Sequence, residues 1–147
     1  MRDALIVSTA RTPLTKSYRG TFNNTTAPTM AGWAIEEAVK RSGVDPEKVD
    51  DVIMGAALQQ GTQHCNVARN AALVAGLPVT VSGMTLDRQC SSGMMAIATA
   101  AKQIISDGMD VAVGGGLDSI SLVQTEKMNL DRWVDKKLIA KHQHIYM

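Results

Sequence analysis

Apolar residues fall along this chain in short continuous runs that alternate with longer stretches of helical period. Ala4-Leu5-Ile6-Val7-Ser8 is the first such run, the pattern of a strand covered on both faces, and Arg11-Thr12-Pro13 ends it. Residues 14–28 form a polar loop rich in Thr and Asn. The spacing of Met30, Ala34 and Ala38, with Ile35 and Val39 beside them, predicts a helix from about Thr29 to Arg41. Gly43 suits the residue just past its end, and Asp45-Pro46 reads as a cap followed by proline in the first position of a short turn. Val52-Ile53-Met54-Gly55 predicts a second strand, and Asn66 to Ala75 a second helix that stops at Gly76 and Pro78. Val79 to Leu86 predicts a third strand. Met94 to Ile105 predicts a third helix with almost no polar face, ended by Gly108, and Val111-Ala112-Val113 a fourth strand.

Strands alternating with helices place the chain in the α/β class, with a mostly parallel sheet covered by helices on both faces. Ligands in such sheets collect at the carboxyl ends of the strands. From about Met128 the pattern changes, becoming charged and helix-prone, which marks a separate excursion from the sheet. Composition adds little: 45% hydrophobic and 20% charged residues describe an ordinary globular protein. A net charge of +1 gives no electrostatic reason for a nucleic-acid or membrane partner. Aromatic residues are only 3%, so the core must rely on Ala, Val, Ile, Leu and Met. The first apolar run is too short for a secretory or membrane segment. Cys65 and Cys90 are therefore expected as reduced thiols in a cytoplasmic protein.

Cys90 carries the chemistry. It lies in Asp87-Arg88-Gln89-Cys90-Ser91-Ser92-Gly93, at the junction of the third strand and the third helix. A helix N-terminus presents unpaired N–H groups and a dipole that favour negative charge. The thiolate is the nucleophilic form of cysteine, and the same N–H groups can stabilise an oxyanion on a thioester carbonyl. A small buried apolar residue is the other reading that the local sequence allows. Other candidates are weaker. Gly114-Gly115-Gly116 reads as a glycine-only turn that lets backbones approach, because no helix with a suitable Lys follows it. His142 and His144, two residues apart, do not share a helix face, so with His64 they assign no metal site. Lys136, Lys137 and Lys141 read as a solvated helix face, and Cys65 as an ordinary buried or interface thiol.

The segment around Cys90 resembles the nucleophile signature of the thiolase family, whose enzymes cleave or form 3-ketoacyl-CoA by Claisen chemistry. Three further segments resemble the family in the expected order. They are Ile6-Val7-Ser8-Thr9-Ala10-Arg11-Thr12-Pro13 with Arg19-Gly20, then Asn66 to Pro78, then Val113-Gly114-Gly115-Gly116-Leu117-Asp118-Ser119-Ile120-Ser121. The resemblance implies a thiolase-like fold, with residues 1–121 as an incomplete N-terminal core domain and 122–147 as the start of an inserted loop domain. Family chains are longer, with two similarly folded halves, so a fragment lacking the C-terminal catalytic half is expected. The apolar residues that continue to Tyr146 and Met147, with no helix-ending glycine, agree with that.

The implied activity is acyl transfer through an acyl-enzyme on Cys90. Coenzyme A thioesters are the substrates and acyl-CoA and coenzyme A the partners, with no bound cofactor or metal, in a homo-oligomer (dimer or tetramer). The family's base is a histidine and its second proton carrier a cysteine, both in the C-terminal half. His142, His144 and Cys65 do not match them, so these residues alone are expected to be inactive. Asp87 stands where Asn is common in the family, Asp118 where Glu is usual and Val67 where Pro is frequent. Asp87 matters most, since a carboxylate there opposes a second negative charge on the thiol. The alternative from another class is a non-catalytic CoA-ester binding or assembly module, which has no need of a thiol at a helix N-terminus. Ketoacyl synthases share the fold, but Arg11-Thr12-Pro13 and the run from Arg88 to Gly93 favour thiolase.

Overall fold

The computed structural model describes residues 2–131 and 133–145. Met1, Arg132 and the apolar end of the tail, Tyr146 and Met147, lie outside the described residues. Three strands form the sheet: β1 (Asp51–Gly55), β2 (Ser82–Leu86) and β3 (Ala112–Gly116). All pairings are parallel, in the order β2-β1-β3, with Ile53 opposite both Met84 and Gly114. Parallel neighbours need crossover connections, and the helices supply them. The chain runs β1, α2 (Val67–Val74), β2, α3 (Ser92–Lys102), β3, with α1 (Ala27–Ser42) preceding β1.

Every residue of β1 is buried, which explains its unbroken apolar run. Val52 and Met54 pack with Ile35 and Val39 of α1 and Ala68, Ala71 and Ala72 of α2 on one face. Ile53 points the other way, against Ala96 and Ala100 of α3. The two faces of one central strand are thus covered by different helices, as the alternation of elements predicts. Small residues make this layering thin, since alanine and glycine let a helix lie close to its neighbour.

Local signals set most boundaries. α1 begins two residues earlier than its apolar spacing predicts, because Pro28 sits inside the first turn, where its missing N–H costs no hydrogen bond. Gly43 ends α1 in the left-handed conformation, with φ of 71°, and returns its N–H to the Lys40 carbonyl. Asp45 caps the short 3-10 turn Pro46–Lys48 by accepting the Glu47 N–H. α3 continues into a π-helical turn, Gln103–Asp107, which Gly108 stops at φ of 82°.

Three expectations fail. Ala4 to Ser8 belongs to no strand or sheet, and Leu5 and Ile6 are 77% and 78% exposed. A strand exists only through its ladder, and neither edge of the sheet pairs with this segment. Side-chain ties flank it instead: Arg2 with Asp110 and the Gly108 carbonyl, and Arg41 with the Thr9 carbonyl. The third strand is shorter than predicted, because Pro78 to Val81 forms a turn closed by the Val81 N–H on the Pro78 carbonyl. The three glycines expected as a turn lie inside β3. Their effect is the one foreseen, close approach of backbones, but it is exerted from a strand.

Beyond β3, α4 (Ile120–Val123) ends the buried core, and α5 (Lys136–Lys141) contributes no buried residue. Among the described residues no helix is long and apolar enough to cross a membrane.

A methyl group at Gly114 would lie 2.8 Å from the Ile97 Cα and 3.2 Å from the Ala100 Cβ, so it would push α3 off the sheet. Gly114→Ala should therefore destabilise the fold by about 1–3 kcal/mol. Gly43→Ala meets open space and has only its backbone conformation to oppose it, at about 1 kcal/mol. Denaturant unfolding followed by circular dichroism tests the order; equal midpoints for the two variants would contradict it.

Candidate active site

The strand ends and the start of α3 meet at one place. Gly55 and Gly116 are the last residues of β1 and β3, and both face the first turn of α3. A side chain at Gly55 would collide with the Ser92 carbonyl group, and one at Gly116 would come within 2.8 Å of the Gly93 Cα. The helix that follows Cys90 is thus seated directly on the carboxyl ends of the strands, where the sequence placed it.

The residues from Asp87 to Ser92 form a tight elbow. Asp87 Oδ1 accepts the Gln89 N–H at 2.7 Å, which turns the chain immediately after β2. Gln89 lies in the left-handed region with φ of 52°, although it is neither glycine nor Asn. The Ser91 N–H returns to the Arg88 carbonyl at 3.1 Å and the Ser92 N–H to the Gln89 carbonyl at 3.0 Å. The two N–H groups that follow Cys90 are therefore committed to the elbow. Those of Gly93 and Met94, in the first turn of α3, precede the first intrahelical bond from Met95 to Ser91. Cys90 itself is exposed, so the small-buried-residue reading does not apply.

Asp87 has a structural explanation that its charge alone would hide. Its oxygen is a turn acceptor, a task that the carbonyl of an Asn could perform with the same geometry. Arg88, next in sequence, rests its guanidinium against the Met95 sulfur at 3.3 Å.

Cys65 is exposed rather than buried, in a backbone with φ of 51°, and its neighbour Asn66 also has positive φ. Asn66 accepts the Arg69 N–H to cap α2, accepts the Thr85 hydroxyl at 2.9 Å and donates to the Gly83 carbonyl at 2.7 Å. Arg69 donates to the carbonyls of Val79 and Val81. The segment from Asn66 to Pro78 thus fastens α2 to β2, the strand that leads into the elbow.

Sequence reasoning overlooked Gln63 and Ser92. Gln63 is 1% exposed and holds the loop after β1 to the turn after β3. Its Nε2 donates to the Leu58 carbonyl at 2.8 Å and to Asp118 Oδ1 at 3.0 Å, and its Oε1 accepts the Ser119 N–H. Asp118 also accepts the Ala57 N–H at 3.3 Å, which gives this residue a place in the loop framework. No local pattern marks Gln63; its importance arises only from burial. Ser92 carries a signal in the Ser91-Ser92-Gly93 run, but nothing in it distinguishes the two serines.

A cavity of about 360 Å³ opens beside the strand ends, lined by Arg11, Phe22, Met30, Met54, Leu117 and Ile120 among others. Gly116 reaches its wall, whereas Cys90 does not. His64 is exposed, and Lys136, Lys137, Lys141, His142 and His144 sit exposed on α5 and the turn after it. Among the described residues no group of three or more His, Cys, Asp or Glu side chains is placed to hold a metal ion.

Gln63→Glu should weaken the fold in a pH-dependent way. It replaces the Nε2 donor by an oxygen facing Asp118 at hydrogen-bond distance, so two carboxylates confront each other near neutral pH. The loss, on the order of 1–3 kcal/mol, should shrink as pH falls through about 5 and one proton comes to be shared. Melting temperatures of both proteins between pH 4.5 and 8 check this, and a constant difference across the range would contradict it.

Comparison with known proteins supplies the family. The thiolase N-terminal domain matches residues 4–145. A 3-ketoacyl-CoA thiolase of Bacillus subtilis is 40% identical over 123 residues, 84% of this chain and 32% of the relative. An acetyl-CoA acetyltransferase of Cupriavidus necator is 40% identical over 121 residues, 82% of this chain and 30% of the relative. The crystal structure of the Bacillus anthracis acetyl-CoA acetyltransferase superposes with a TM-score of 0.81 at 41% identity, covering 92% of this chain and 34% of that one. The chain spans about a third of the length of the relatives it matches. A family match over nearly all of the described residues, on a parallel sheet carrying an exposed cysteine elbow at its strand ends, establishes that this chain belongs to the thiolase family through its N-terminal domain.

Proposed function

We propose that this chain supplies the nucleophile of a thiolase-type acyltransferase, and that Cys90 is that nucleophile. The observation that carries the proposal is the elbow: an exposed thiol, preceded by a left-handed Gln89, standing before a helix seated on the ends of parallel strands. The family membership supports coenzyme A thioesters as the substrates. In the degradative direction the Cys90 thiolate attacks the 3-keto carbonyl of a 3-ketoacyl-CoA. Collapse of the tetrahedral adduct breaks the bond between the second and third acyl carbons and expels the enolate of acetyl-CoA. That enolate takes up a proton, and the acyl group stays on sulfur. The thiolate of coenzyme A then attacks the thioester, and Cys90 leaves with the pair of electrons that bound it to the acyl carbon. Synthesis reverses the same steps.

The reaction needs a base for each thiol, a proton donor for the enolate and donors for two oxyanions. The elbow offers the N–H groups of Gly93 and Met94 as candidates for one oxyanion. We place the base and the enolate's proton donor outside residues 1–147, where the family resemblance puts a histidine and a second cysteine. We assign residues 122–147 to the beginning of a separate loop domain, a reading supported by the end of the buried core at Val123. Self-association in the manner of an oligomer is part of the same proposal. It is supported by the apolar residues left at the surface, Leu5, Ile6 and Val7 in the N-terminal segment and Met94 and Ile97 on α3.

Cys90→Ala should abolish acyl-enzyme formation in the protein that carries the whole activity, with little change in stability because the thiol is exposed. Mass spectrometry after incubation with acetyl-CoA locates the label; a label retained in that variant, or found on Cys65, would refute the assignment. These 147 residues alone should show no sustained thiolysis of acetoacetyl-CoA, followed by the loss of its enolate absorbance. Missing acid–base groups cost about 10²–10⁴ in rate each, so multiple turnover would show that a residue of this chain fills those roles.

A further inference from the structure

The residue before the nucleophile occupies a backbone state that an L-amino acid other than Gly, Asn or Asp seldom adopts, and one buried hydroxyl brackets it. Gln89 has φ of 52°. Ser92 is 3% exposed, unlike every other residue from Asp87 to Ser91, all of which are exposed. Its Oγ accepts the Arg88 N–H at 2.7 Å and donates to the Gln89 carbonyl at 2.6 Å. Asp87 Oδ1 lies 3.5 Å from the same Oγ, too far to compete for its single proton. The hydroxyl therefore grips the chain on both sides of Gln89. The carbonyl that it holds belongs to the peptide group joining Gln89 to Cys90, which also accepts the Ser92 N–H at 3.0 Å.

A positive φ costs on the order of 1–2 kcal/mol for such a residue, so it persists only where neighbouring bonds fix it. Without them the chain would relax toward ordinary φ, and the rotation would swing the next residue, Cys90, away from the helix start. We propose that Ser92 is a positioning residue for Cys90: its hydroxyl fixes the Gln89–Cys90 peptide group and thereby the direction in which the thiol is presented. This rests on the reading of Cys90 as the nucleophile. Asp87 fixes the Gln89 N–H from the other side, but it is exposed and water can replace it. The buried Ser92 hydroxyl has no such substitute.

The test is competitive alkylation of the protein that carries the whole activity, base included, by iodoacetamide at pH 7, with Cys65 and Cys90 followed by peptide mass spectrometry. Cys65, exposed and outside the elbow, is the internal reference. If Cys90 is an activated nucleophile, it should react about tenfold faster than Cys65 or more. In Ser92→Ala the ratio should fall to near one, whereas Ser92→Thr, which keeps the hydroxyl, should hold it within about threefold of the starting value. A ratio near one before any substitution would overturn the nucleophile reading itself, and the positioning role with it. A high ratio that survives Ser92→Ala would overturn only the positioning role. Should Ser92→Ala fail to fold, the double variant Gln89→Gly with Ser92→Ala decides, because glycine adopts the left-handed state unaided. A folded double variant with a recovered ratio supports the proposal. A folded one with a ratio near one, or one that still does not fold, overturns it.

Discussion

The close seating of α3 on the carboxyl ends of β1 and β3 is the contact on which the candidate site depends. It requires that Gly55, Gly114 and Gly116 carry no side chain, because the positions their Cβ atoms would occupy are filled by backbone of α3. Packing of this kind is unforgiving: a side chain cannot rotate away from a peptide group, so a single methyl must displace the whole helix. In exchange, the first turn of α3 is held at a fixed distance from the strand ends, and Ile53 and Ala96 seal the layer beneath it. Cys90, two residues before this helix, is joined to a rigid support.

On that base the elbow is built almost wholly from hydrogen bonds. Asp87 turns the chain out of β2, Ser92 closes it from inside, and the N–H groups of Ser91 and Ser92 return to Arg88 and Gln89. None of these groups contributes apolar burial of any size, so the elbow's geometry is specified by polar satisfaction rather than by packing. The surrounding segments show the same division. Asn66 and Arg69 fasten β2 from one side, and Gln63 with Asp118 fastens the loops at the strand ends from the other. The amides of buried Gln63 and exposed Asn66, with the half-buried Arg69 guanidinium, tie these segments together in a chain that has few aromatic residues.

This arrangement also places the departures from the family pattern in physical terms. Asp87 serves through an oxygen that Asn would supply as well, so the substitution leaves the turn intact and changes only the charge near Cys90. Asp118 reaches both Gln63 and the Ala57 N–H, and so works as a loop tie. Neither residue needs a place in the chemistry to be explained. The glycine run Gly114-Gly115-Gly116 is likewise a packing device.

What the sequence determined by itself was set by local rules. Apolar period, Gly43, Asp45 and Gly108 placed the helices and most of their ends, and the alternation of elements required parallel strands with helices on both faces. The run around Cys90 marked the strand-to-helix junction and, through its resemblance, the family. Tertiary structure decided what depends on a partner distant in the chain. Ala4 to Ser8 has the apolar run of a strand, yet no ladder forms along it, since pairing is a property of two segments and one alone cannot contain it. The glycines of β3 could be read as a turn until α3 was seen to need their missing side chains. Cys65 was expected as a buried or interface thiol and is exposed on this chain, in a turn with positive φ at both Cys65 and Asn66. Gln63 and Ser92 gave no usable signal, because a polar residue becomes structural only when its neighbours remove water from it and leave it their unpaired groups to satisfy.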